Sequence, residues 1–330
     1  MPILNKARVI FSSARNYYTV NAKASKKKFD VAKHLYSRIK TTGPITIADY
    51  MKEVLVAPDR GYYMTKDVFG ETGDFVTSPE LGQMFGEMIA IWFLNEWSKM
   101  GSPKPFQIVE LGPGRGTLCQ DMLRVFDHFK SLKSASVELV EISPYLCDLQ
   151  ARRLCPQTNV ASNEDALVYR EGKTVNGTTV RWYRHLKDVP NMFTLLVAHE
   201  FFDALPIHKL KRVGTHYREI LVDIVDNKED SFRYVMSSKD TVASKLYINK
   251  NETREHVEIS PESLNLMKEI SGRITSDGGL ALIADYGHEG ESKDTFRAFS
   301  KHKQVDPLVM PGASDLTADV DFAALKRVKF

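Results

Sequence analysis

Glu110, Gly112, Gly114 and Gly116 stand at spacings that suit the binding of a nucleotide-like ligand. The apolar run 106–109 predicts a short buried strand, and the chain then passes through the carboxylate of Glu110. Three glycines at alternate positions follow, and a helical pattern starts at Thr117. A strand, a glycine turn and a helix start together make a cradle, because backbone without Cβ atoms admits a ligand at close range. Two common cradles do not match. A P-loop requires a lysine after its last glycine, and Gly116 is followed by Thr117. A dinucleotide turn places glycine or alanine where this chain has Thr117.

The remaining pattern is an acid followed by G-x-G-x-G, the turn of class I S-adenosyl-L-methionine-dependent methyltransferases. That donor has no pyrophosphate, but it carries a cationic sulfonium and a cationic α-amino group. Glu110 would repel a pyrophosphate and attract the ammonium. A second acid is expected at the end of the next strand to hold the ribose hydroxyls. Glu141, 29 residues after Gly112, occupies that place. Dinucleotide enzymes share such an acid, so the discrimination comes from the turn and Glu110.

The elements that must position these groups read as α/β. Helices are expected over 29–41 and 47–55, then a long glycine-, tyrosine- and acid-rich stretch over 57–80, of a length that is usually functional. Ser78-Pro79 suits a helix start. Leu81, Met84, Phe85, Met88, Ile89, Trp92 and Phe93 keep helical spacing and are expected to pack in the core. Further strands are expected over 136–142, 178–186, 193–198 and 279–285, with helices over 144–154 and 261–274. Continuous apolar strands alternating with helices indicate a parallel sheet covered on both faces. Between the fourth and fifth strands an insertion, 211–260, carries a hairpin over 217–224 and 231–236.

Bulk composition narrows the class. The chain has 330 residues, 43% hydrophobic and 26% charged, enough for one α/β domain with an appendage. No apolar run approaches the roughly 18–20 residues of a membrane span. Cys119, Cys147 and Cys155 form no CxxC pair, which argues against a disulfide framework or a structural zinc. Residues 1–28 carry seven basic groups and no acid, and taking those seven from the net +3 leaves −4 for the body. A mildly acidic body disfavours nucleic-acid binding. The basic, acid-free start reads as a mitochondrial transit peptide over 1–28.

Several blocks recur with these: Gly61-Tyr62-Tyr63, the segment 73–80, Glu110 to Gly116, His199-Glu200-Phe201-Phe202-Asp203-Ala204-Leu205-Pro206, Asp285-Tyr286-Gly287, and the segment 315–322. In these the chain resembles the MidA-type family, which comprises mitochondrial complex I assembly-factor arginine methyltransferases and their bacterial relatives. The resemblance runs from about residue 40 to the end. It implies a Rossmann-like class I methyltransferase sheet over 102–330, preceded by a helical region over 29–101. It further implies S-adenosyl-L-methionine as donor, and arginine dimethylation of a complex I core subunit in the mitochondrial matrix. A homodimer is compatible with it. Relatives continue beyond the 315–322 segment, so the last strands of the sheet are expected to be missing from this chain.

An arginine acceptor is protonated in water, and its charge blocks attack by the nitrogen lone pair. Carboxylates must pair with the guanidinium, orient one nitrogen and let its proton leave. Glu200 and Asp203 follow the fourth strand, at the carboxyl edge where open α/β sheets bind ligands. They are expected to fill that role, with Asp74 and Glu80 in support and Phe201 and Phe202 as a wall for the guanidinium face. The bland alternative makes Asp203 the N-cap of a following helix. His199-Glu200-x-x-Asp203 lacks the second histidine of a zinc-protease helix, so no metal is expected. Two other functions compete: a donor-binding assembly chaperone with weak catalysis, and a dinucleotide oxidoreductase.

Overall fold

The apolar runs pair side by side in one sheet of seven strands. In chain order these are β1 (Phe106–Leu111), β2 (Ala135–Val140), β3 (Gln157–Val160), β4 (Arg170–Lys173), β5 (Thr179–Tyr183), β6 (Phe193–His199) and β7 (Gly279–Ala284). Their spatial order is β7-β6-β1-β2-β5-β4-β3. The computed structural model describes residues 30–328, apart from 59, 71, 72, 74–76, 164, 226, 227, 229, 230, 250, 292 and 293. The expected leader 1–28 and the expected acceptor-site acid Asp74 lie outside the described residues.

The five strands from β7 to β5 are parallel, as continuous apolar runs require. β4 pairs antiparallel with both β5 and β3, which corrects the expectation of a wholly parallel sheet. Both are mostly solvated, so they lack the apolar signature that betrays a buried strand. At the other edge, among the described residues, stands β7, which is only half-buried.

Alternation along β1 sends side chains to two cores. Phe106 and Ile108 meet the helices Met84–Lys99 and Thr117–His128 through Phe93, Trp97, Met122 and Phe126. Val109 and Leu111 face the other side with Ile270 of the helix Pro261–Asp277. The Met84–Lys99 helix corrects a second expectation. Ile89, Ala90, Phe93 and Trp97 are buried, whereas Met84, Met88, Ile91 and Trp92 are exposed, as is Leu81 in the short helix before it. Its apolar residues extend round more of the helix than one face of a sheet can cover.

The insertion is larger than a hairpin. His216–Ile224 pairs with Phe232–Met236 as expected, but also with His208–Val213, which in turn pairs with His256–Ile259. Ile45–Thr46, from the N-terminal region, joins the same sheet. The helices Val31–Thr42 and Ile47–Val56 share a core with Ile207, Val222, Phe296 and Leu316. The N-terminal helices, the insertion's strands and the strands after β7 therefore share one core, and Tyr63, Arg297, Phe299 and Asp315 from these parts line a cavity with residues at the carboxyl ends of the main strands. Near that edge Arg297–Ser300 pairs with Asp315–Thr317, which places Asp315.

Phe126 is fully buried, with its ring centroid 6.2 Å from that of Phe106. Phe126→Ala is expected to cost about 3–5 kcal/mol through lost burial and the cavity left behind. A fall in the urea unfolding midpoint would measure it, and an unchanged midpoint would contradict this account of the core.

Candidate functional site

β1 is the point where the sheet changes direction, because β2 lies on one side and β6 on the other. Ligands of open α/β sheets bind outside the strand ends at such a point. The three glycines that leave β1 have φ of 61°, 53° and 78°, in the left-handed region that side chains disfavour. At Gly112 space adds a second constraint, since a Cβ there would lie 2.5 Å from the ring of Phe201.

Glu110 sits at the base of this turn, buried, and its Oε2 has no hydrogen-bond partner. Burial, with the charge of Glu141 adding to it, pushes its carboxyl up to about 8. An orphaned buried acid is costly unless something cationic completes it. Glu141 is also buried, and burial pushes it up to about 7 against opposing hydrogen bonds. The Ser143 N–H donates to its Oε1 at 2.8 Å, and Gln150 Nε2 donates to its Oε2 at 3.0 Å. Gln150 also donates to the Gly114 carbonyl at 2.8 Å and accepts from Trp182 Nε1 at 2.9 Å. A single fully buried amide thus fixes Glu141 relative to the glycine turn. Sequence reasoning missed Gln150, because one polar residue on the inner face of the Pro144–Leu154 helix carries no motif.

Asp67, Phe69 and Gly70, and Glu80 of the Ser78–Leu81 helix, pack against the turn. Arg115 donates from Nε to both oxygens of Asp67, at 3.0 and 2.9 Å, and from Nη1 to Glu80 at 3.2 Å. The other Glu80 oxygen accepts from the Thr117 hydroxyl. Glu80 lines the cavity, but both of its oxygens are held, by Arg115 of the glycine turn and by Thr117 at the start of the next helix.

Beyond β6 the chain turns sharply at Glu200, whose φ is 48°. Asp285, at the end of β7, holds the turn. Its Oδ2 accepts the N–H groups of Phe201, Phe202 and Asp203 at 3.0, 2.8 and 3.2 Å. No helix follows Asp203, so the N-cap alternative is excluded. Burial first, then the charge of Asp285, raises Glu200 to about 7. Burial and the charges of Asp285, Asp315 and Glu200 push Asp203 well above the usual carboxylate range. His199 Nε2 lies 3.5 Å from Glu200, and burial pushes the imidazole down to about 4, so it is neutral.

Glu110, Glu141, Gly112 and Gly114 of the glycine turn, Glu80, Glu200, Phe201 and Asp203 all line one cavity of about 620 Å³, whereas Gly116 faces Gln150 and does not line it. Phe202 does not. Its ring is 2% exposed and packs in the core, which removes it as a wall for a bound group. The exposed ring of Tyr286 stands at the cavity instead. Sequence reasoning also left out Asp315 and Tyr63, which line the cavity and are joined by a 2.6 Å bond from the Tyr63 hydroxyl to Asp315 Oδ1. Both stand in segments that carried the family resemblance, with nothing in their spacing to mark them. The cavity therefore has a turn with an orphaned acid at one end and a cluster of raised carboxylates at the other. This donor set fits a cationic nucleoside at the first end and a cationic acceptor at the second.

A family profile described as an S-adenosyl-L-methionine-dependent methyltransferase matches residues 88–329. Among curated proteins, the chain is 51% identical over 314 residues to a Drosophila melanogaster protein named protein arginine methyltransferase NDUFAF7 homolog, mitochondrial. That match covers 93% of this chain and 72% of the fly protein. The Homo sapiens protein arginine methyltransferase NDUFAF7, mitochondrial, is 49% identical over 300 residues, covering 90% of this chain and 68% of its own. Among solved structures, a Burkholderia thailandensis protein bound to S-adenosyl-homocysteine superposes with a TM-score of 0.69 at 22% identity. It covers 89% of this chain and 74% of that one.

Gly112→Ala is expected to lower S-adenosyl-homocysteine affinity by at least tenfold, since the methyl group must displace Phe201 or the turn. Calorimetry would measure it, and wild-type affinity would show that the turn is not the donor contact. A cation bound against Glu110 stabilises its carboxylate form, so the acid, protonated at pH 7, must release its proton on binding. Affinity is then expected to rise with pH up to about 8. Titrations at pH 7 in buffers of different ionisation enthalpy should report that proton, and Glu110→Gln should reduce it. Binding without proton release would exclude Glu110.

Proposed function

The chain belongs to this family of S-adenosyl-L-methionine-dependent methyltransferases, and on that premise we propose that it methylates arginine in a protein acceptor. The observation that carries this reading is the shared cavity. Glu200 and Asp203 line the same space as the glycine turn, Glu110 and Glu141. Glu110 would hold the donor's ammonium, Glu141 its ribose hydroxyls, and the three glycines would admit its backbone-hugging portion. When bound, the donor supplies a methyl carbon on a sulfonium, with the sulfur as leaving group.

The acceptor end does the rest by charge and orientation. A guanidinium entering the acid cluster would pair with Glu200 and Asp203 and favour their ionised forms. Paired there, one of its nitrogens can be presented to the methyl carbon. As that nitrogen's lone pair forms the new N–C bond, the C–S pair leaves on sulfur. The nitrogen's proton passes to a carboxylate, for which Glu200, with its pKa near 7, is placed. Glu80 and Arg115 position the turn, and Phe201 packs between turn and acid cluster.

Names of the relatives support a mitochondrial setting, in agreement with the basic, acid-free residues 1–28. The family resemblance extends the reading to a core subunit of respiratory complex I, in the matrix, as the acceptor. No helix among the described residues is long and apolar enough to cross a membrane.

Glu200→Gln is expected to leave S-adenosyl-homocysteine affinity within about twofold while lowering methyl transfer by about 10²–10⁴-fold. Transfer would be read as labelled methyl incorporation into complex I subunits from cells lacking the enzyme. Lost donor binding, or unchanged transfer, would refute the acceptor role. In the wild type, kcat/KM for the acceptor should rise with pH through about 7, because Glu200 must ionise to pair with the guanidinium.

A further inference from the structure

We infer that the segment 63–70 roofs the donor end of the cavity, with Phe69 as a donor-contacting residue and Asp67 as the positioning residue that holds it. The inference rests on the donor site alone and holds whatever the acceptor is. Tyr63 and Phe69 line the same cavity as Glu110, Gly112, Gly114 and Glu141. Both precede the residues that the family profile matches, so they are an addition to the profile's own donor motif.

The segment is pinned on both sides of the donor end. Beside Glu141, the Ser143 hydroxyl donates to the Tyr63 carbonyl at 2.6 Å, while the Ser143 N–H donates to Glu141 at 2.8 Å. Ser143 is fully buried and caps the Pro144–Leu154 helix, so this pin is rigid. Beside the glycine turn, Arg115 donates from Nε to both oxygens of Asp67, at 3.0 and 2.9 Å, and its Nη2 lies 2.8 Å from Asp67 Oδ2. Asp67 Oδ1 also accepts the Phe69 N–H at 3.2 Å, so the carboxylate that holds the turn also orients Phe69. Gly70 leaves room for this pairing, since a Cβ there would lie 2.3 Å from Arg115 Nη1. Between the two pins the chain crosses from the end of β2 to the turn that leaves β1.

Phe69 meets the turn with the face of its ring. Three consecutive ring carbons, Cδ2, Cε2 and Cζ, lie 3.8, 3.5 and 3.5 Å from the point that a Gly114 Cβ would occupy. An edge-on ring would bring two carbons close and leave the third well behind. Near-equal distances therefore mean that the face covers Gly114. Phe201 stands at Gly112 on the same turn, where its Cδ2 is the nearest atom. A ligand admitted by these two glycines thus lies against apolar carbon where water would otherwise stand. Excluding water strengthens the attraction between the buried Glu110 and a cationic donor, because the local dielectric falls.

The test uses the full chain and S-adenosyl-homocysteine. Calorimetry should show Phe69→Ala lowering affinity by about tenfold, as apolar contact is lost. Stopped-flow displacement should show Asp67→Asn releasing the ligand about tenfold faster, with the association rate within about twofold. Asp67→Glu should restore slow release. A residue that merely shaped the turn would slow association as well. Added salt should speed release from the wild type, because the Asp67 and Arg115 side chains are 26% and 22% exposed, and should do so much less in Asp67→Asn. Amide exchange on the wild type carries the test if Phe69→Ala fails to fold: the ligand should slow exchange at 67–70 as well as at the turn. Unchanged affinity in Phe69→Ala, unchanged release in Asp67→Asn, or exchange at 67–70 indifferent to the ligand would each overturn the inference.

Discussion

Asp285 bears the architecture of the loop that carries Glu200 and Asp203. It stands where β7 ends and receives three consecutive backbone N–H groups from the chain leaving β6. Those amides would otherwise be buried without partners, at a cost comparable to losing the hydrogen bonds outright. With them satisfied, Glu200 can stay in a left-handed conformation that an isolated glutamate would avoid. The same turn lays Phe201 against Gly112. One carboxylate therefore fixes both the loop that carries Glu200 and Asp203 and how closely that loop meets the glycine turn.

The site carries an electrostatic debt that only ligands can relieve. Glu110, Glu141, Glu200 and Asp203 are all pushed upward, and burial is the first cause in each. Packing so many acids round one cavity opposes folding, because like charges and lost hydration both disfavour the ionised forms. The arrangement makes sense as preorganisation. On the proposed function, a cationic donor and a cationic acceptor would each find carboxylates already placed.

Much of this was legible before the fold. Parallel strands announced themselves as continuous apolar runs, and the E-x-G-x-G-x-G turn carried both its conformation and its charge preference in seven residues. What was hidden had a physical reason in each case. β3 and β4 are solvated edge strands without an apolar pattern. Gln150 works through a buried amide whose partners come from three other segments. Phe202 looked like half of an aromatic wall, but neighbouring side chains in a tight turn point different ways, and only Phe201 faces the cavity.

By itself the sequence determined the local chemistry: a glycine turn that needs positive φ, an acid placed to select a cation, and strands apolar enough to be buried. Those properties depend on neighbours a few residues away, so they survive without knowledge of the fold. Only the tertiary structure decided which distant acids share a space. Tyr63 and Asp315 are separated by 252 residues and meet at 2.6 Å. Asp285 reaches more than 80 residues back to hold the loop of Glu200. Such contacts are set by how the N-terminal helices, the insertion and the segment after β7 close over the sheet edge. No spacing along the chain encodes that closure.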